Sequence, residues 1–135
     1  MDIVNRTKRS EMMSKIKGKN TVPEIMVRKY LYSNGYRYRI HDTKLPGKPD
    51  IVLSRKKIVI EVRGCFWHGH HCRLASIPKT NRSFWIKKIN GNRLRDKKNK
   101  KKIEKIGYNL IVIHECMVRK GSYKKTLLKK IKEYE

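Results

Sequence analysis

Apolar residues keep no period through positions 1–20, which are polar and basic, so the chain is expected to open with an arm. Thr21-Val22-Pro23-Glu24 then carries a helix start: Thr21 can cap, and Glu24 three residues on can reach back in a capping box. Met26, Val27, Tyr30 and Leu31 form an apolar stripe at helical spacing, and Asn34-Gly35 suits its end. Tyr36, Tyr38 and Ile40 alternate with Arg37 and Arg39, a strand pattern. Beyond a loop with Pro46, Gly47 and Pro49, Ile51-Val52-Leu53 and Ile58-Val59-Ile60 flank four polar residues. That predicts a β-hairpin whose second strand runs on to Arg63. Helical spacing resumes at Ser83 with Trp85, Ile86, Ile89, Leu94, Ile103 and Ile106, with Asn90-Gly91-Asn92 as a candidate kink and Gly107 as a C-cap. Leu110-Ile111-Val112-Ile113 reads as a short buried strand, and a final basic helix carries Leu127, Leu128 and Ile131. The order helix, three strands, long helix, strand, helix predicts a mixed α/β layer fold.

Charge sharpens this outline. The 135 residues carry 36 Lys+Arg against 11 Asp+Glu, a formal net charge of +25. The length suits one domain over 1–135 with a basic arm at 1–20. A charge this one-sided repels itself in the compact state, and a polyanion relieves the repulsion, so nucleic acid is the expected partner. An anionic membrane surface is the lesser alternative. No run of about 20 apolar residues is present, so a spanning helix is not expected, and neither is an export signal. A bacterial cytoplasmic location follows as the expectation. For the basic run at 93–105, with eight Lys/Arg and two acids, a solvated helix face and direct phosphate contact both remain open.

The 3 cysteines are too few, and odd in number, for a disulfide framework. Their positions point to a metal. Cys65 and Cys72 bracket the histidines of CFWHGHHC, and Cys116 follows after 43 intervening residues. One histidine with three cysteines makes a tetrahedral zinc set, and the distant Cys116 would tie the end of a late strand to the loop after the hairpin. Spacing alone does not choose between His70 and His71 as the nitrogen donor, and His68 competes as well.

The carboxylates carry a second pattern. Pro49-Asp50 precedes the hairpin, and Glu61-Val62-Arg63 lies in its second strand. This resembles the P-D…(D/E)-x-K pattern of restriction-endonuclease-like nucleases, in which carboxylates and a main-chain carbonyl converge on Mg²⁺. The plainer alternative is a turn-forming Asp50 and a Glu61 paired with a nearby base. Arg63 stands where the pattern has Lys; it binds phosphate but stays protonated and cannot act as a base. His68 is the natural replacement. Glu24 on the first helix is a candidate third carboxylate.

GKPD at 47–50, RGCFWHGHHC at 63–72, SFWIKKINGN at 83–92, NLIVIHEC at 109–116 and the opening EMMSKIKGKNTVPEIMVRKYLYSNGYRYR at 11–39 together resemble the very short patch repair endonucleases, over about residues 10–120. The resemblance implies a restriction-endonuclease-like fold, with a central mixed β-sheet flanked by helices and an added structural zinc site. It implies nicking of double-stranded DNA on the 5′ side of the thymine in a T:G mismatch, the product of 5-methylcytosine deamination. By the same resemblance Asp50 holds Mg²⁺ together with the main-chain carbonyl of Val62, and His68 is the general acid/base. Glu24 supports the site, and Cys65, His70, Cys72 and Cys116 hold zinc. Phe66, Trp67 and Trp85 would form an aromatic wedge in the base stack, with Lys88 and Asn92 near the mismatched pair. A wobble pair stacks weakly, so unstacking there costs less, which favours the mismatch. Hydrophobic core is the alternative reading of the three aromatics.

Strand alternation puts Glu61 and Arg63 on one face and Val62 on the other, which leaves Glu61 either an extra metal ligand or a bystander. A restriction-type or broader mismatch nuclease of the same fold, and an inactive zinc-stabilised DNA-binding module, are the competing functions. The resemblance also implies a cognate cytosine-5 methyltransferase as a companion; mismatch-repair proteins are further candidate partners, and a monomer is the expected state.

Overall fold

The computed structural model describes residues 21–72 and 75–135. The expected N-terminal arm lies outside the described residues. Helix α1 spans Val22–Ser33 and starts on the anticipated capping box, with Thr21 and Glu24 exchanging backbone and side-chain bonds. Gly35 adopts φ +87° just past its end, the left-handed turn that a side chain would strain. Strand β1 is only Arg39–Ile40, shorter than the Tyr36–Ile40 alternation suggests. Tyr36 and Tyr38 instead pack against the core as part of the connection. The hairpin forms as expected from β2, Ile51–Leu53, and β3, Ile58–Arg63, joined by a 3₁₀ turn at Ser54–Lys56.

Helix α2 then runs unbroken over Arg82–Lys105. Asn90-Gly91-Asn92 does not interrupt it. Leu94 is 60% exposed and Ile106 48% exposed, so neither belongs to the inward stripe. That stripe is Ile89, Asn92, Asp96, Asn99 and Ile103, steps of three and four along the helix. Strand β4, Asn109–His114, leads into a short helix α3, Glu115–Lys120, which the sequence pattern does not mark, and then α4, Tyr123–Glu133.

The sheet has the order β1-β2-β3-β4. The first three strands pair antiparallel, while β4 pairs parallel to β3 from Ile58↔Asn109 to Arg63↔His114. Alternation sorts the side chains. Ile51, Leu53, Ile58, Ile60, Ile111 and Ile113 meet Val27 and Leu31 of α1, Val118 of α3, and Leu127 and Ile131 of α4. On the other face Val52 and Val59 meet Ile103 of α2. The helices of both faces bury apolar area at about 25 cal/mol per Å², the main stabilisation of such a layered domain. Among the described residues no helix is long and apolar enough to cross a membrane.

Candidate active site and metal centre

Strand directions bring the chemistry to one end of the sheet. The carboxyl ends of β1, β3 and β4 and the amino end of antiparallel β2 all lie there. Asp50 stands at that start of β2, behind the buried Pro49. Its Oδ2 accepts the Val62 N–H at 2.8 Å. The N–H and C=O of one strand residue point to the same side, so the Val62 carbonyl faces the Asp50 side of β3 as well. Burial pushes the Asp50 carboxyl up to about 6; the Val62 N–H opposes this, and the charges of Glu24 and Glu61 add to it. Glu24 is 2% exposed, held by Arg28 Nη2 at 3.3 Å and facing His41 Nε2 at 2.5 Å. One ligand atom each from Glu24, His41 and Asp50 fall within 4.8 Å of one another, a set able to hold a metal ion.

His68 follows β3 in the loop that carries the cysteines, and its Nδ1 lies 2.7 Å from Asp96 Oδ2 on α2. A carboxylate on one ring nitrogen fixes the ring's orientation and presents the other nitrogen for proton transfer. Glu61 lies outside the donor cluster. Its Oε2 accepts Arg63 Nε and Nη2, each at 2.9 Å, and Arg63 Nη1 is 4.0 Å from Asp96 Oδ2. Glu61 and Arg63 thus form a pair whose Arg63 end reaches Asp96 of α2, and the Glu61 charge adds to the raising of Asp50.

The second cluster is Cys65, His70, Cys72 and Cys116, whose ligand atoms also lie within 4.8 Å of one another. His70 belongs to it and the exposed His71 does not. None of the three cysteines is in a disulfide among the described residues. Cys65 Sγ accepts the Cys116 N–H at 3.4 Å, and Cys116 Sγ is 3.5 Å from His70 Nδ1. Burial, reinforced by the neighbouring Cys72 and Cys116 thiols, pushes the Cys65 thiol up to about 12. Three sulfurs and an imidazole in one pocket are the donor set of a tetrahedral structural site, and a bound cation would reverse that shift by binding thiolate. His114 stacks on His70 with ring centroids 3.8 Å apart. Its Nδ1 is buried with no hydrogen-bond partner among the described residues, and burial, reinforced by the neighbouring His70 and Arg63, lowers its pKa to about 4.

Phe66, Trp67 and Trp85 contact one another edge to face, with centroids 5.1 to 5.8 Å apart. They join neither core cluster. Phe84, 58% exposed, extends the group at 5.1 Å from Trp85. Asn92 donates to the Trp67 carbonyl at 2.9 Å and so ties α2 to the aromatic loop, while Lys88 lies exposed on the same helix. Gly69, between His68 and His70, has φ +63°, and a Cβ there would sit 2.7 Å from Ile89 Cγ2. The loop can seat on α2 only with glycine at that position.

Three site residues carry weak sequence signals. His41 is one histidine in a polar loop. Asp96 is an acid in a basic run, and only its place on the inward stripe of α2 could have marked it. His114 stands two positions before Cys116 in a run that reads as buried strand. Comparison with known proteins identifies the family. The sequence profile of the family described as DNA mismatch endonuclease Vsr matches residues 1–74. The chain is 50% identical over 118 residues to the type II nicking enzyme V.NmeAIP of Neisseria meningitidis, covering 87% of this chain and 84% of that one. It is 41% identical over 115 residues to V.XorIIP of Xanthomonas oryzae, another type II nicking enzyme, covering 85% of each. It is 35% identical over 118 residues to the DNA mismatch endonuclease Vsr of Escherichia coli, covering 87% of this chain and 76% of that enzyme. A profile match over more than half the sequence, with near full-length relatives that cut DNA, establishes that the chain is a DNA endonuclease of the Vsr family.

Proposed function

We propose that this endonuclease nicks double-stranded DNA on the 5′ side of the thymine in a T:G mismatch, with Mg²⁺ or a similar divalent ion in the Asp50 site and zinc in the Cys/His cluster. The observation that carries the reading is that the same end of the sheet leads to a half-buried carboxylate accepting the Val62 N–H, an imidazole held by Asp96 and an aromatic group outside the two core clusters. Asp50 and the Val62 carbonyl would hold the ion, with Glu24 beside them. The ion supplies charge stabilisation at the phosphate and a lowered pKa for the attacking water. His68, oriented by Asp96, takes or gives the proton at its free ring nitrogen. Arg63, held by Glu61, would bind a phosphate oxygen. Zinc would fix the loop of residues 65–72 to the start of α3, and with it the aromatics. Phe66, Trp67 and Trp85 would enter the stack beside the mismatch, with Lys88 and Asn92 nearby, and the net charge of +25 would supply phosphate affinity.

The fold is read as restriction-endonuclease-like and residues 1–135 as one domain, acting as a monomer in the bacterial cytoplasm beside a cognate cytosine-5 methyltransferase and mismatch-repair proteins. A second reading, nicking by restriction-type recognition of matched sites, takes its support from the nicking-enzyme names of the Neisseria and Xanthomonas relatives. Cutting of a T:G duplex against its matched counterpart separates the two. The proposal expects cutting of the mismatched duplex alone and its loss in Asp50→Ala; equal cutting of matched DNA overturns it.

A further inference from the structure

The Asp50 site contains a side chain that none of the roles above uses. His41 follows β1, and its backbone N–H donates to the Asp50 carbonyl at 3.1 Å, one step beyond the Ile40↔Ile51 pair. The ladder therefore holds His41 and Asp50 side by side. The His41 backbone takes φ +49°, a left-handed conformation that costs a non-glycine residue strain. Its side chain is 13% exposed and turned toward Glu24 rather than out to solvent. The ligand atoms of Glu24, His41 and Asp50 share a sphere of spacing 4.8 Å. An ion about 2.0–2.2 Å from each donor would set neighbouring donors about 3 Å apart and opposed donors about 4.3 Å apart, so small side-chain rotations close this set on one ion.

We infer that His41 is a nitrogen ligand of the ion held by Asp50, so that this site takes a divalent first-row transition ion such as Mn²⁺ in preference to Mg²⁺. The inference rests on the reading of Asp50 as the catalytic metal carboxylate. Mg²⁺ is hard, prefers oxygen donors and gives up water reluctantly, whereas an imidazole nitrogen gains more from a softer ion. The neutral ring ligates through one nitrogen and keeps its proton on the other. Glu24, a hydrogen-bond partner of that ring, holds it in place and supplies the neighbouring oxygen.

The test uses the zinc-loaded full-length chain, without DNA, titrated with Mn²⁺. Electron paramagnetic resonance follows free Mn²⁺, and spin-echo modulation of the bound ion detects a directly coordinated ¹⁴N nucleus. The expected result is an Mn²⁺ site that requires Asp50 and shows imidazole nitrogen coupling. His41→Gln should lose the coupling and bind Mn²⁺ about 10-fold more weakly, with a smaller loss for competing Mg²⁺. Bound Mn²⁺ without nitrogen coupling in the unmodified protein would overturn the role of His41 and leave the Asp50 site standing. Coupling that survives in His41→Gln would assign the nitrogen to another histidine and overturn it equally. Mn²⁺ binding unchanged in Asp50→Asn would overturn both the inference and the reading beneath it.

Discussion

Asp50→Asn should make the protein more stable while destroying its metal site. The wild-type carboxyl is raised from 3.8 to about 6, chiefly by burial, so its ionised form is costly in the fold. For such a group folding stability is highest below the unfolded value and falls as pH rises through the folded one. At pH 8, with no divalent ion in the Asp50 site, the cost amounts to at most about 3 kcal/mol, and about half of it persists at pH 5. Asparagine removes the charge and keeps an oxygen to accept the Val62 N–H. Urea unfolding of the zinc-loaded protein, followed by fluorescence of the two tryptophans, should show the variant's midpoint higher by roughly 1–2 M at pH 8. The gain should shrink at pH 5. Saturating Mg²⁺ or Mn²⁺ should stabilise only the wild type, by roughly 2–3 kcal/mol at 100 times the dissociation constant. A variant no more stable than wild type at pH 8, or a gain independent of pH, would refute the claim that Asp50 is held charged against its burial.

Three further outcomes follow from the geometry. His68→Ala should slow single-turnover nicking about 10²–10⁴-fold, and Asp96→Asn about 10–100-fold, with the double variant no worse than His68→Ala alone; additive losses would separate the two residues. Cys116→Ser should lower zinc content below one ion per chain and reduce the melting temperature, as measured by metal analysis and circular dichroism; an unchanged melt would deny the cluster its structural role. Trp67→Ala should weaken binding to a mismatched duplex about 10–100-fold and abolish the fluorescence rise of 2-aminopurine placed beside the mismatch, whereas an intact rise would place the aromatics outside the base stack.

Much of this architecture was written in local pattern. The capping box at Thr21, the hairpin of β2 and β3, and the buried β4 all form where spacing and turn residues put them. The Cys/His cluster assembles from positions 65 to 116 because the parallel pairing of β3 and β4 brings the two strand ends together, which no local signal encodes. The misread positions have long-range causes. Leu94 and Ile106 look like core residues by composition, but α2 turns its Asn92–Asp96–Asn99 stripe inward. Asp96 is drawn there by His68 and Arg63, partners 28 and 33 residues away in sequence. Likewise His41 gains its place through the backbone hydrogen bond to Asp50 across the β1–β2 edge and the contact of its ring with Glu24 of α1. Local chemistry reveals elements and soft-ligand clusters; a site assembled from lone polar residues on different strands becomes legible only after the sheet is built.

Strand-resolved mapping of the cut tests the central claim most directly. A duplex with one T:G pair, end-labelled on either strand, is incubated with excess zinc-loaded enzyme and Mg²⁺ or Mn²⁺, and the products are sized. The account predicts one break, at the phosphate on the 5′ side of the mismatched thymine, with the opposite strand intact and no product from Asp50→Asn or from the matched duplex. Breaks in both strands, or the same break in matched DNA, would contradict it.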